Sequence, residues 1–128
     1  MTAATEFGLD RIGQIAVTVR DLARAKAYYR DTLGMRFLYE FPSLAFFDCG
    51  GIRLIMSVPE RPEFDHPTSV LYYTVSDIAA AHATLVARGV AFERDPHIIA
   101  ALPDRDVWMA FFRDSERNLL GLMCEKPR

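Results

Sequence analysis

The sequence predicts an α+β fold in which two copies of one βαβββ unit build a curved mixed sheet around a cup. Three observations carry this expectation. Strand-like and helix-like segments occur twice in the same order, and a shift of 56 positions lays one half on the other. The last three strand-like runs of each half have no helix between them, which makes each sheet largely antiparallel with its helix on one face. The chain, residues 1–128, is read as one domain, with module one at about 10–60 and module two at about 68–126.

Module one opens with a strand in Ile12-Gly13-Gln14-Ile15-Ala16-Val17-Thr18-Val19. Ile15, Val17 and Val19 alternate with Gln14, Ala16 and Thr18, the period of a strand with one apolar face. Asp21 caps a helix on which Leu22, Ala25, Tyr28, Tyr29 and Leu33 recur at three- and four-residue spacing, making one buried stripe. Gly34 then suits the left-handed turn that ends a helix. Strands follow over Met35–Phe41, Leu44–Cys49 and Ile52–Val58, with Gly50-Gly51 as a hairpin signal. Arg61 to Pro67 carries two prolines and no periodicity, and reads as the linker between modules.

Module two repeats this order. Val70–Val75 is the strand, Asp77 the cap, Ile78–Arg88 the helix and Gly89 its stop. The shift matches Thr18 with Thr74, Val19 with Val75 and Asp21 with Asp77; Gly34-Met35-Arg36-Phe37 is answered by Gly89-Val90-Ala91-Phe92. Strand, cap and Gly-x-x-Phe recurring in sequence indicate a duplication. The remaining strands are Val90–Arg94, Val107–Arg113 and Leu119–Cys124. The stretch from Arg94 to Trp108 exceeds its counterpart Tyr39–Leu44, and is expected to form a long loop over the cup, a lid or specificity segment.

Composition removes several classes of function. A net charge of −2 and a pI near 5.9 leave no basic excess to neutralise phosphates, so no nucleic acid partner is expected. With 51% hydrophobic and 25% charged residues the chain has material for a true core. Its apolar runs are short and broken by charges, so no membrane association is expected. Met1–Glu6 lacks a basic segment followed by an apolar one, so no leader is expected. Cys49 and Cys124 lie far apart with no CxxC spacing, and read as free thiols of a reducing compartment, which points to the cytoplasm. There is no Gly-rich phosphate loop, Gly-x-Ser-x-Gly elbow, His-Glu-x-x-His or Cys/His zinc pattern.

Two segments carry a resemblance. Asp21-Leu22-x-x-Ala25-x-x-Tyr28-Tyr29 running into Leu33-Gly34-Met35, and Phe111 to Leu119, resemble the vicinal oxygen chelate superfamily. That group includes glyoxalase I, extradiol dioxygenases, methylmalonyl-CoA epimerase and the bleomycin resistance proteins. The likeness runs from about Ile12 to Glu125; Ser115 and Arg117 stand where the superfamily's Phe-x-Asp-Pro-x-Gly-Asn turn has Pro and Gly. It implies a ligand cup of the glyoxalase/bleomycin-resistance kind and a homodimer, a state that unpaired strand edges also favour. In members with a catalytic metal, the ligands come from the first and last strands of each module. Here the matching positions are Gln14, Val70, Ile55 and Gly121, and only Gln14 offers a donor. One carboxamide oxygen cannot replace the hydration shell of a divalent ion, so neither metal nor cofactor is expected at the inherited position. A rebuilt metal site would have to draw on His97, Asp104 or Asp106.

Strand parity assigns the lining. Gln14, Ala16 and Thr18 face the cup, as do Val70, Tyr72 and Thr74, and Arg53, Ile55 and Ser57 on the last strand of module one. The candidate ligand-binding residues are Gln14, Arg53, Ile55, Val70, Tyr72, His97, Trp108 and Gly121. Such a lining, apolar with a few polar groups, suits a small molecule. Tyr72 either stacks on a ligand or plugs the core, and Trp108 is either a stacking wall or core. Arg53 either pairs with a ligand anion or is solvated at a sheet edge; Gln14 either bonds backbone or reads a polar group. His97 and Tyr72 are the candidate catalytic groups, His97 as a general base near neutral pH or as a structural histidine. Three functions follow: a metal-free binder of apolar or aromatic compounds, a glyoxalase-like lyase or isomerase using acid–base residues or a non-standard metal site, and an assembly domain with a plugged cup.

Overall fold

A computed structural model describes residues 7–127; the expectation for Met1–Glu6 lies outside the described residues. Module one contains β1 (Gln14–Thr18), α1 (Leu22–Ala27) running into a π-helical turn (Tyr28–Thr32), β2 (Arg36–Phe41), β3 (Leu44–Cys49) and β4 (Ile52–Ser57). A short 3-10 helix, Pro62–Phe64, lies in the linker. Module two contains β5 (Leu71–Thr74), α2 (Ile78–Ala87), β6 (Phe92–Ala101), β7 (Arg105–Arg113) and β8 (Leu119–Pro127). The sheets have the orders β1-β4-β3-β2 and β5-β8-β7-β6. In each, the first strand runs parallel to the last and the other pairs are antiparallel.

Local chemistry explains the helix limits. Asp21 accepts a hydrogen bond from the Arg24 backbone N–H at 3.0 Å, and Asp77 accepts one from that of Ala80 at 3.0 Å. These bonds satisfy donors that the first helical turn leaves unpaired. Gly34 at φ 72° and Gly89 at φ 92° reverse the chain after each helix, a backbone region that glycine enters without steric cost. The ladder also carries the duplication: Ala16 lies opposite Ile55 and Tyr72 opposite Gly121, and Ala16 and Tyr72 are themselves one repeat apart.

One core serves both modules. Val17, Phe47, Leu54 and Met56 of the first sheet, Tyr29 of the π turn, Ile78 and Leu85 of α2, and Phe112, Leu120 and Leu122 of the second sheet form a single buried cluster. Each sheet spends one face on this core and turns the other outward. The two sheets remain separate within the chain, with β1 and β5 each at a sheet edge.

The modules are fastened by the turn Asp114–Asn118. Asp114 is 6% exposed and accepts from the Tyr29 hydroxyl at 2.6 Å, from the backbone N–H groups of Glu116 and Asn118, both at 2.8 Å, and from Asn118 Nδ2 at 3.0 Å. Asn118 Nδ2 also donates to the carbonyl oxygen of Thr18 at 3.0 Å. The Glu116 side chain, 1% exposed, crosses to module one and accepts from the backbone N–H of Arg20 at 2.8 Å and of Asp21 at 2.9 Å, and from Arg24 Nε at 2.7 Å.

Arg117 in this turn has φ 70°, the only non-glycine positive φ among the described residues. A side chain there costs roughly 1–2 kcal/mol, which glycine would relieve at some expense in unfolded-chain entropy. Arg117→Gly is therefore expected to raise stability by about 0.5–1 kcal/mol, read as a higher urea midpoint at unchanged slope.

The expected lid is corrected. Arg94 to Trp108 folds as a β-hairpin closed between Leu102 and Arg105, whose N–H to O bond is 2.8 Å long. Three register shifts, between Phe92 and Arg94, Arg94 and His97, and Ile98 and Ala100, break the alternation by which a strand is recognised. β6 is also an edge strand, so Pro96 is accommodated without interrupting a central ladder. Among the described residues no helix is long and apolar enough to cross a membrane.

Candidate functional site

The outward face of the first sheet is built from four strands. β1 contributes Gln14 and Ala16, β4 contributes Arg53, Ile55 and Ser57, and β3 contributes Leu44, Phe46 and Asp48. The parity read from the sequence agrees on β1 and β4: Val17, Leu54 and Met56 point to the core. Two further outward residues, Tyr39 and Phe41 of β2, escape a simple alternation. A bulge between Phe37 and Tyr39 sends Phe37 inward against Phe47, with ring centroids 5.5 Å apart, and Tyr39 outward against Phe46 at 4.8 Å. Phe46 itself was legible. Neighbours in a strand take opposite faces, so of Phe46 and Phe47 one must leave the core.

Arg53 sits among these rings. Its Nη1 donates to the Tyr39 hydroxyl at 3.2 Å, and its guanidinium carbon lies 5.9 Å from the centre of the Phe46 ring. Behind it Cys49 is partly buried; burial, helped by the nearby Asp48 carboxylate, pushes that thiol above its ordinary value, so it is a poor nucleophile at neutral pH.

On the second sheet the outward face carries Tyr72, Phe111, Met109 and Gly121. Tyr72 is 50% exposed and meets Phe111 edge-on, with centroids 5.8 Å apart at 82°. Its ring lies directly on Gly121: a Cβ there would stand 2.8 Å from Tyr72 Cδ2 and 3.2 Å from Phe111 Cε1. Glycine is required by this close approach. Val70, just before β5, is partly exposed, and His97 lies opposite Met109 on the same face. His97 Nδ1 is 2.9 Å from the Asp95 carbonyl oxygen, which places its proton on Nδ1.

Trp108 is the exception. Phe111 pairs with Gly121 and Trp108 with Cys124, so an odd spacing along both strands turns the indole to the opposite face. There it packs against the shared core, with the Lys126 ammonium 4.6 Å from its ring centre. The stacking wall expected of Trp108 is replaced by its alternative, a core residue.

Gln14, Arg53 and Ile55 thus share one outward face with Tyr39 and Phe46, while Tyr72, His97 and Gly121 share the other with Phe111. Among the described residues no hydrogen bond or ring contact joins these two sets. A dication does not fit the inherited corners. Ile55 and Val70 have no donor atom, Gly121 has no side chain, and the Tyr72 ring occupies the space into which a longer residue would project. Nor do three His, Cys, Asp or Glu side chains gather to hold a metal ion anywhere among the described residues. Of the alternative donors, Asp104 is paired with Arg105 at 2.8 Å.

The model of the Glyoxalase/Bleomycin resistance protein/Dioxygenase superfamily matches residues 11–122. This chain belongs to that superfamily. The resemblance read from Asp21 to Met35 and from Phe111 to Leu119 is thereby borne out, as are the two modules with mixed sheets. Similar solved structures include lactoylglutathione lyase from Agrobacterium tumefaciens, at 21% identity and TM-score 0.71, covering 89% of this chain and 92% of that one. TnmS3, an antibiotic binding protein from Streptomyces sp. CB03234, is 24% identical at TM-score 0.70, covering 91% and 96%. Virulence protein STM3117 from Salmonella typhimurium is 17% identical at TM-score 0.74, covering 92% and 98%. Likeness at these identities is a likeness of fold. No curated protein matches the chain. The superfamily fold has a ligand-binding architecture.

Proposed function

We propose that the chain binds an apolar or aromatic small molecule in its cup, without metal or cofactor, and acts by holding the compound rather than transforming it. One observation carries this reading. The four positions that would supply metal donors are Gln14, Ile55, Val70 and Gly121, and the Tyr72 ring is seated on the last of them. The lining that remains, aromatic and aliphatic with Gln14 and Arg53 as its polar groups, suits a small-molecule pocket. That TnmS3 is an antibiotic binding protein agrees with this direction.

The proposal includes a homodimer in the cytoplasm. β1 and β5 are equivalent by the repeat, each is paired on one side only, and they do not pair with each other within the chain. A second copy that sets its β5 against β1 of the first would cover both edges and close two walls into one cup. Light scattering at micromolar concentration is expected to give twice the chain mass.

A second reading, a lyase or isomerase, is favoured by His97. With the proton held on Nδ1, its Nε2 is the basic nitrogen and lies on the outward face. One experiment separates the two. Untreated protein is titrated calorimetrically against a panel of aromatic and aliphatic compounds, and assayed for formation of S-lactoylglutathione with and without added Zn²⁺, Ni²⁺ or Mn²⁺. Saturable binding with no turnover is expected. Turnover that His97→Ala abolishes would establish the enzyme reading instead.

A further inference from the structure

We infer that the module-one wall of the cup selects planar aromatic anions, an assignment that rests on the proposed binding role and narrows it to one ligand class. The argument begins with what that wall leaves in water. Tyr39 and Phe41 are 44% and 56% exposed, and with Phe46 they form a cluster of mutually touching rings. Tyr39 lies 4.8 Å from Phe46 at 33°, Tyr39 5.9 Å from Phe41 at 73°, and Phe41 6.0 Å from Phe46 at 87°. None of the three belongs to the shared core, whose needs are met by Phe37 and Phe47 on the opposite face. An aromatic platform with one side open offers stacking and edge contacts to a flat ring system.

A cation stands at the edge of this platform. The Arg53 guanidinium is held by the Tyr39 hydroxyl at 3.2 Å and by the face of Phe46 at 5.9 Å. Among the described residues it forms no ion pair, whereas Arg20, Arg24, Arg30, Arg61, Arg105 and Arg113 each hold a carboxylate. The carboxylate best placed to neutralise it is Asp48, its direct partner across the β3–β4 ladder. Asp48 instead accepts from the Gly51 backbone N–H at 3.2 Å, and Arg36, opposite Asp48 on β2, adds a second guanidinium to that end of the face. Two arginines therefore share this end of the face with one aspartate.

A guanidinium presents five N–H donors in a planar fork, and Arg53 commits one of them within the protein. A carboxylate or phenolate attached to a flat ring would take the remaining donors while its ring lies on Tyr39 and Phe46. A neutral arene forgoes the charge-assisted bonds, and an aliphatic acid forgoes the stacking. The pair of features selects the combination.

The test is calorimetric titration of the full chain with 2-naphthoate, its neutral isostere 2-naphthamide, and octanoate. Wild-type protein is expected to bind 2-naphthoate about ten-fold or more tightly than either other compound. In Arg53→Gln the preference over 2-naphthamide is expected to shrink to about two-fold or less, with 2-naphthamide itself little changed. Phe46→Leu is expected to weaken both arenes by about five-fold while keeping the preference for the anion. Equal binding of the two arenes by wild type, or a preference that survives Arg53→Gln, overturns the assignment. If neither arene binds while other panel compounds do, the ligand class is wrong and the binding role stands; if no panel compound binds, both fall.

Discussion

Glu116→Gln is expected to lower stability by about 2–3 kcal/mol at neutral pH and to flatten the loss of stability in acid. Burial of the Glu116 carboxylate works against its charge. That cost is outweighed by bonds from Arg24, from the backbone N–H groups of Asp21 and Arg20 and from the Ser115 hydroxyl, which hold its pKa down at about 2 against an ordinary value of 4.5. A carboxylate with a lowered folded pKa binds fewer protons when folded than when unfolded across that interval. Its contribution is therefore fully present above about pH 4.5 and disappears as pH falls towards 2. The gap between the two values corresponds to roughly 3 kcal/mol at about 1.4 kcal/mol per unit. Glutamine can still accept the backbone bonds, but it brings no charge for Arg24. Urea titrations at pH 7 and pH 3 check both parts. Wild type should lose much more between them than the variant does; parallel losses would show that the contribution lies elsewhere.

Asp114→Ala is expected to be the more damaging change, at about 3–5 kcal/mol. Its carboxylate satisfies four donors, and one of these is the Tyr29 hydroxyl, which belongs to a fully buried side chain. Alanine would leave that hydroxyl without a partner at a cost of about 1–3 kcal/mol, and would release two backbone N–H groups of the turn as well. Tyr29→Phe alone should cost about 1–1.5 kcal/mol, because it removes donor and demand together. The double variant should be less unstable than the sum of the singles, since the orphaned hydroxyl is then gone. Additive effects in the urea midpoints would mean that the 2.6 Å bond does not couple the modules.

The features legible in the sequence were those encoded within a few residues. Asp21 and Asp77 cap as expected, Gly34 and Gly89 stop the helices, and the alternation of Gln14 to Val19 assigned β1 to its faces correctly. The repeat was legible too, as was the placing of Arg53, Ile55 and Ser57 on the same face as Gln14. What escaped was decided by register or by distance along the chain. A bulge after Phe37 reversed the parity of Tyr39 and Phe41 and so hid the aromatic platform. Three further shifts disguised β6 as a loop, while Trp108 falls on the core face by its odd spacing from Phe111 along β7. Glu116 reaches backbone donors 95 and 96 residues away, and no local pattern announces such a bond.

The outward faces owe little to the forces that keep the chain folded. Tyr29, Phe47, Phe112 and the Asp114 turn all lie behind the sheets, whereas Tyr39, Phe41, Arg53 and Tyr72 stand in front of them. Exchanges at these forward positions should therefore be nearly neutral for melting temperature while, under the proposed binding role, changing which compounds are recognised. A chain organised in this way can drift from one chemical target to another by single substitutions, with each intermediate still able to fold.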